Sequence, residues 1–582
     1  MIDQYYEEEL RYLYQSGREF ARAHPDKARF LNIDAVGDRD PYVERLFEGF
    51  AFLAARVREK LDDSFPELTE RLLDLMWPQL LLDIPSTAIV QFQARPGVLQ
   101  ETRTIPAGSE VLSGPVGPES TICCFRTTQD VPISPLTLAE VRITTDTRGK
   151  STLHLRFRRQ QTVPWESITS PSLRVYLHAE MPIALLLHEF LTRRLTEARL
   201  TTPDAGTICT LRPPEAVTAA GMSPSESLLP GDKRSFRGFA LLREYFVCPE
   251  KFLFVDLHGV DRLAAGDPEA QEFTFAAEAG SALPSGLNVR AENFRLFCSP
   301  IVNLYRRQAE PVSCVRPGTE QKVVADSASP LSTRVHSVIS VVGLDRSTGE
   351  RVPYEPQHSF RNLGGSDVPT YTVHHRTAAD GRRECLLAVG GARLRDGAMR
   401  EQVFSADVWC TNGTLPREEL NEGDVSRPGS GFPSYVSVAN ITRPTLPAMP
   451  PGDDQYLWNF LSHSAATATT LADADTLKNL LRVYNWSSSE ARARRIESIT
   501  EVTSQPLEKT HRGAAVRGIE FRIAVSESSY QDTADLHLFG EVLHVFLSHY
   551  VSINCFLDLV IVQMPSGREH RWSSVDGTRW LI

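Results

Sequence analysis

The spacing of apolar residues changes once along this chain, near Pro85, and that change constrains the fold more than any other feature. Before it, apolar residues recur every three or four positions; after it, they recur every second position between Pro and Gly breaks. In the first segment Tyr6, Leu10, Leu13, Gly17 and Phe20 line one stripe of a predicted helix. His24-Pro25 should end it, because the residue before a proline is pushed out of the α region. Asp40 as N-cap and Pro41 at the first helical position open a second helix, striped by Val43, Leu46, Phe50, Leu53, Val57 and Leu61. Ser64-Phe65-Pro66-Glu67 combines a capping-box pattern with proline in the first turn. A third helix carrying Leu68, Leu72, Leu75 and Met76 should follow, ending at Trp77-Pro78. Stripes this short leave two arrangements open: the helices pack on one another, or they join partner helices in a bundle.

Beyond Pro85 the segments Ile89 to Gln93, Leu153 to Phe157 and Leu173 to Leu177 alternate as strands with one polar face. Ala184 to Arg194 reads as an amphipathic helix among them, and Pro203 to Asp232 as a Pro-, Ser- and Gly-rich loop or linker. A second strand-rich region runs from Phe236 to about Met449, with helical character at Phe239 to Tyr245; Pro444 to Gly452 reads as a hinge. Tyr456 to Tyr484 alternates helix with a polar tract, and Phe521 to Val525 reads as a strand. Leu536 to Tyr550 is a predicted helix with Leu536, Phe539, Val542, Leu543, Phe546 and Tyr550 on its apolar face, leading into a buried strand, Ile553 to Gln563. Its polar side, His537, Glu541 and His544, is expected to face outward, which makes Glu541 a candidate contact between subunits. These shifts divide the chain into N-terminal helices over 1–85, a first strand-rich domain over 86–235, a second over 236–450, and a C-terminal mixed α/β domain over 451–582. The expected class is α+β multidomain, an N-terminal helical segment followed by strand-rich mixed α/β domains.

Charge narrows the partners. With 62 Lys and Arg against 73 Asp and Glu the net charge is −11, and no basic block interrupts it, which argues against nucleic acid or anionic lipid. Nine cysteines without a CxxC spacing read as reduced thiols in a cytosolic protein. The acidic start, with Asp3 and Glu7-Glu8-Glu9, is unlike a signal or transit peptide. The most apolar stretch, Leu72 to Ile84, is broken by Asp74, Pro78 and Asp83, so direct membrane insertion is not expected.

No phosphate-binding glycine loop, dinucleotide fingerprint or nucleophile elbow occurs. His188-Glu189 begins like a zinc-protease helix, but Thr192 stands where the second histidine belongs. His374-His375 point to opposite faces if they lie on a strand. His537 and His544 share a helical face, and a metal there would need a carboxylate or cysteine brought from elsewhere. Cys410, just before an Asn412-Gly413 turn, reads as a buried thiol rather than a nucleophile, and Asp453-Asp454 as a solvated acidic pair. No catalytic, metal or cofactor residues are assigned.

The run Pro41-Tyr42-Val43-Glu44-Arg45-Leu46-Phe47-Glu48-Gly49-Phe50, continuing to Val57, closely resembles the N-terminal signature of the TssF (VasA/ImpG) family of type VI secretion baseplate subunits. Tyr5 to Phe20, Asp62 to Pro78, Pro300 to Tyr305, Cys410 to Gly413, Ile441 to Thr445, Phe539 to Leu543 and Val551 to Asn554 resemble the same family in collinear order. Ser464 to Thr470 departs from it, with a Ser/Ala/Thr tract where the family tends to be Leu-, Asn- and Tyr-rich. The resemblance implies a non-enzymatic wedge subunit similar to those of contractile phage baseplates. It implies that two copies join one TssG through an N-terminal bundle, that TssK adaptors dock on them, and that six wedges surround a VgrG hub bearing tube and sheath. It places the assembly in the cytoplasm, bound to the inner-membrane complex rather than to lipid. The candidate interface residues are then Tyr6, Leu10, Leu13, Phe20, Val43, Leu46, Phe50, Leu53 and Val57, with Glu541 at the other end of the chain. The alternative class is a multidomain cytosolic enzyme with a noncontiguous site, recognisable by a deep polar pocket holding strongly perturbed acids. A receptor-binding or tail-fibre-like module would instead need exposed recognition loops.

Overall fold

The structure is a computed structural model that describes residues 2–23, 41–62, 73, 80–160, 163–168, 171–230, 237–284, 286–314, 319–345, 349–357, 369–377, 383–390, 402–451, 467–487, 489–511, 514–530 and 532–578. The chain divides into two units, Met1–Leu81 with Gly452–Ser462, and Leu82–Pro451 with His463–Ile582.

In the smaller unit the first helix spans Ile2–Ala23 and the second Pro41–Asp62, with Glu44 favourably placed in its first turn; the stop expected at His24-Pro25 and the N-cap expected at Asp40 lie outside the described residues. They pack on each other through small residues, since Gly17, Ala51 and Ala55 are buried. Tyr14 meets Phe47 edge-on at 6.1 Å between ring centroids, and its hydroxyl donates to Glu44 Oε1 at 3.4 Å. Of the expected third helix only Leu73 is among the described residues; it is helical and buried.

The larger unit is built on sheets whose strands come from distant parts of the chain. One six-stranded antiparallel sheet runs in the order Val425–Pro428, Glu110–Val116, Thr121–Thr127, Cys298–Val302, Thr87–Ala94, Val436–Asn440. Val90, Phe92, Val111, Phe125, Ile301 and Val438 form part of the core beneath it. A five-stranded sheet pairs Ser151–Arg159 with Glu272–Ala279. Strands from either side of residue 235 therefore share sheets, and the expected boundary there does not coincide with the edge of any sheet. The expected linker at 203–232 carries Gly206–Leu211 and Val217–Ala219 as strands instead. Its Gly and Pro residues serve tight connections, as at Gly221, whose φ is +90° and where a Cβ would strike the Lys251 carbonyl.

The Pro-rich stretch expected to be a hinge is tied down over its described part. Ile84 and Ala448 exchange backbone hydrogen bonds at 2.8 and 2.9 Å, and Thr445 N donates to Thr87 O at 2.9 Å.

Near the C-terminus the strands Ile499–His511, Ala514–Ser526, Phe556–Met564 and Arg568–Asp576 form one sheet in chain order. The central pair is parallel, which requires a crossover, and the helix Thr533–Ser548 supplies it. That helix packs on this sheet and against the helices Met181–Glu189 and Arg237–Val247. Among the described residues no helix is long and apolar enough to cross a membrane.

Candidate functional site

On the second helix the predicted stripe is an exposed apolar face. Leu46, Phe50, Leu53 and Val57 are 68%, 62%, 60% and 60% exposed, while Ala51 and Ala55 are fully buried. At about 100° per residue the two sets lie on opposite sides of the helix, so contact with the first helix uses the small residues and leaves the large ones in water. Tyr42, also exposed, lies on the same side and widens the patch. On the first helix Tyr6, Leu10 and Leu13 are half-buried and Phe20 is exposed. Val43 lies in the second helix, with its side chain outside the described set. On the second helix, then, intramolecular packing leaves the described part of the predicted stripe in water, whereas on the first the stripe residue Gly17 is buried.

The residues weighed for chemistry are buried. Cys410 is fully enclosed and its thiol is pushed up to about 12 by burial, the opposite of an activated nucleophile. His375 is pushed down to about 3, first by burial and then by Arg383 and His336. Asp453-Asp454 lies outside the described residues.

The C-terminal helix corrects one expectation outright. His537 and His544 do not face outward; each is 5% exposed, because neighbouring helices cover one side of this helix and the sheet covers the other. Glu541 keeps a fifth of its side chain exposed, yet its Oε2 is buried without a hydrogen-bond partner, and burial pushes its carboxyl up to about 7. Glu541 Oε2 is therefore withdrawn from water while part of its side chain stays accessible.

The juxtaposition that sequence reasoning missed lies here. The helix Met181–Glu189 continues into a π-helical turn, Phe190–Arg194, which brings His188 beside His537 and Glu541. One ligand-capable atom from each of the three lies within 4.8 Å of the others. Thr192 Oγ1 donates to His188 O at 2.7 Å and lies 3.1 Å from His537 Nε2. Burial lowers His188 to about 4 and His537 well below its usual value, with His188 and Arg193 adding to the shift in His537. Both imidazoles are accordingly neutral near pH 7.

A separate cavity of about 590 Å³ is lined by Gln91, Arg95, Arg158, Glu292 and Arg295 among others. Among the described residues two carboxyls are raised by burial: Glu541, and Asp535, which Arg495 holds at 2.6 Å. Neither lines that cavity.

The family model for the type VI secretion system protein TssF matches residues 1–579. The chain belongs to the TssF family. It is 30% identical over 620 aligned positions to the type VI secretion system component TssF1 of Pseudomonas aeruginosa, covering 99% of this chain and 98% of that one. It also matches a chain of the type VI secretion TssK-TssF-TssG baseplate subcomplex solved by cryo-electron microscopy, at 31% identity and TM-score 0.79, over 91% of this chain and 98% of that one. A solved type VI secretion baseplate complex contains another match, at 30% identity and TM-score 0.63, over the whole of both chains. Its role is that of a structural baseplate subunit.

Several blocks that carry the family resemblance touch one another. Asn303, from Pro300 to Tyr305, donates through Nδ2 to Cys124 O and to Asn412 Oδ1, both at 2.8 Å. Its Oδ1 accepts from Asn412 N at 2.6 Å and from the Thr411 hydroxyl at 2.9 Å. Gly413 has φ +59° and faces the Arg334 guanidinium, where a side chain would collide. The block Ile441 to Thr445 lies along Thr87–Ala94, with Ile441 N donating to Ile89 O and the Thr442 hydroxyl accepting from Ile89 N, both at 2.8 Å. Gly540, beside Glu541, is where the C-terminal helix crosses Trp572 and Ile561 too closely for any side chain.

Proposed function

We propose that the exposed face Leu46, Phe50, Leu53 and Val57 is the surface through which this subunit enters a wedge, packing against helices of a TssG protein and of a second copy of this chain. The observation that carries the reading is the division of the second helix into a small-residue face turned inward and a large apolar face left in water. A contiguous exposed apolar patch of this kind is characteristic of a protein interaction site. The TssK-TssF-TssG subcomplex containing a similar chain supports TssG and TssK as the neighbours. On this reading the chain works by assembly and not by catalysis. It is held with the VgrG hub at the cytoplasmic face of the inner membrane, through the secretion complex rather than by insertion into lipid. The 1–85 segment acts as the docking element, and the remaining three sequence-defined regions as the body.

The test is Leu46→Asp with Leu53→Asp. Both positions are exposed, so the free chain should keep its circular dichroism and melting profile. In the wedge the introduced carboxylates would be buried unpaired, at a cost of several kcal/mol, and copurification with TssG should be lost. A double variant that copurifies at the normal stoichiometry overturns the assignment; a variant that unfolds shows the face to be part of an internal core.

A further inference from the structure

We propose that His188, His537 and Glu541 form a binding site for a divalent transition metal, zinc by its ligand chemistry, that clamps the helix Met181–Glu189 to the helix Thr533–Ser548. His537 and Glu541 are four residues apart and so project from one side of their helix. His537 Nε2 and Glu541 Oε2 stand 3.8 Å apart, and the donor atoms of all three residues fall within 4.8 Å of one another. A tetrahedral zinc with bonds of about 2.0–2.2 Å sets its ligands roughly 3.3 Å apart, so rotation of the Glu541 side chain and a small approach of the rings complete the geometry.

The second observation is what these atoms lack. His188 Nε2 and Glu541 Oε2 are both buried with no hydrogen-bond partner, and so is His537 Nδ1 on the ring between them. Unpartnered lone-pair atoms this close together call for a shared partner that accepts lone pairs. Two imidazoles and one carboxylate match the nitrogen and oxygen set of zinc, whereas magnesium and calcium prefer all-oxygen sites. The Thr192 hydroxyl, 3.1 Å from His537 Nε2, stands in reach of a fourth position.

The surroundings are arranged for rigid ligands. The His537 ring stacks on Trp572, at 5.9 Å between centroids with planes 11° apart, which fixes its orientation. Two cations are near: Arg194 is paired with Glu189 at 2.6 Å, and Arg193 lies over the Trp572 ring at 5.3 Å. Their repulsion is offset once Glu541 binds as a carboxylate. The site joins residues about 350 positions apart, as the Thr192–His537 separation of 345 shows. The role is mechanical: a cross-link between two elements that the sequence places far apart.

The experiment uses the full-length chain, exchanged into metal-free buffer and titrated with Zn²⁺ alone, with Co²⁺ as a spectroscopic substitute. Expected are one Zn²⁺ per chain, the visible bands of four-coordinate Co²⁺, and a higher melting temperature with Zn²⁺. Glu541→Gln keeps the shape of the side chain and should fold. It should lose affinity by more than the roughly 10–100-fold typical of a second-shell change. His188→Asn should do the same. A folded wild-type chain that binds no Zn²⁺ or Co²⁺ overturns the proposal and leaves a neutral, proton-sharing cluster. Glu541→Gln and His188→Asn variants that retain wild-type affinity also overturn it, because the metal is then held elsewhere.

Discussion

Asn303→Ala is the substitution whose cost can be worked most fully from the structure. The side chain makes four buried hydrogen bonds, to Cys124 O, Asn412 Oδ1, Asn412 N and the Thr411 hydroxyl. Asn412 Oδ1 keeps a second donor in Cys124 N at 3.3 Å. The Cys124 carbonyl, the Asn412 amide and the Thr411 hydroxyl lose the bonds that Asn303 made. At about 1–3 kcal/mol for each buried group left unsatisfied, and with partial relaxation, the loss is on the order of 3–6 kcal/mol. A chain with two units and several sheets will not unfold in one step, so a global midpoint is the wrong readout. Amide hydrogen exchange in the strands Thr121–Thr127 and Cys298–Val302 reads the region directly, and should accelerate by about 10²–10⁴-fold. Asn412→Ala breaks the same network from the other side, so the double variant should cost less than the two single changes together. Exchange within tenfold of wild type, or strict additivity of the pair, refutes the reasoning.

Gly540→Ala should destabilise the C-terminal region by about 1–3 kcal/mol as the new methyl meets the Trp572 indole, and pairing it with Trp572→Leu should restore part of the lost melting temperature. His570 is buried, its Nε2 2.9 Å from Gln563 Oε1, and burial with Arg193, Arg568 and Arg194 lowers it to about 4. The unfolded chain then binds more protons between pH 6.5 and 4, so stability falls as pH drops through that window, by on the order of 3 kcal/mol for this group; His570→Gln should flatten that part of the stability–pH curve. Iodoacetamide at pH 8 should label the partly exposed Cys555 and Cys209 in the native chain, and spare Cys123, Cys124, Cys248, Cys385 and Cys410 until denaturant is added, because burial pushes those five thiols up to about 12.

What the sequence reveals and what it hides follow from the range of the interactions. Helical periodicity is carried by near neighbours in the chain, so the first two stretches expected to be helical fall on the helices Ile2–Ala23 and Pro41–Asp62. Strand alternation at Ile89 to Gln93 and Leu153 to Phe157 is also local, and both segments are strands. Sheet partnership is not local: nothing in Thr87–Ala94 announces that its neighbours are Cys298–Val302 and Val436–Asn440. The C-terminal helix shows the same limit from the other side. A polar stripe of His537, Glu541 and His544 ordinarily means water, but packing on both sides buries both histidines and leaves Glu541 only partly exposed. The Thr192 that breaks the zinc-protease pattern conceals that ligands arrive from a different helix. The spacing His537-x-x-x-Glu541 was the available signal, and it acquires meaning only once His188 is beside it.

The strand Thr87–Ala94 has a consequence for how this protein is made. It sits inside a sheet, between one strand near residue 300 and another near residue 440. Its bond from Thr87 N to Thr445 Oγ1 spans 358 residues. A ribosome adding roughly 5–20 residues per second needs on the order of 20–70 s to deliver that partner. Throughout that interval Ile89, Val90 and Phe92, fully buried in the finished fold, wait on a nascent chain whose strand edges are open. The larger unit is thus exposed to mispairing during synthesis in proportion to the delay, and slower translation before Val436 should lower the yield of soluble chain more than the same slowing after Met564.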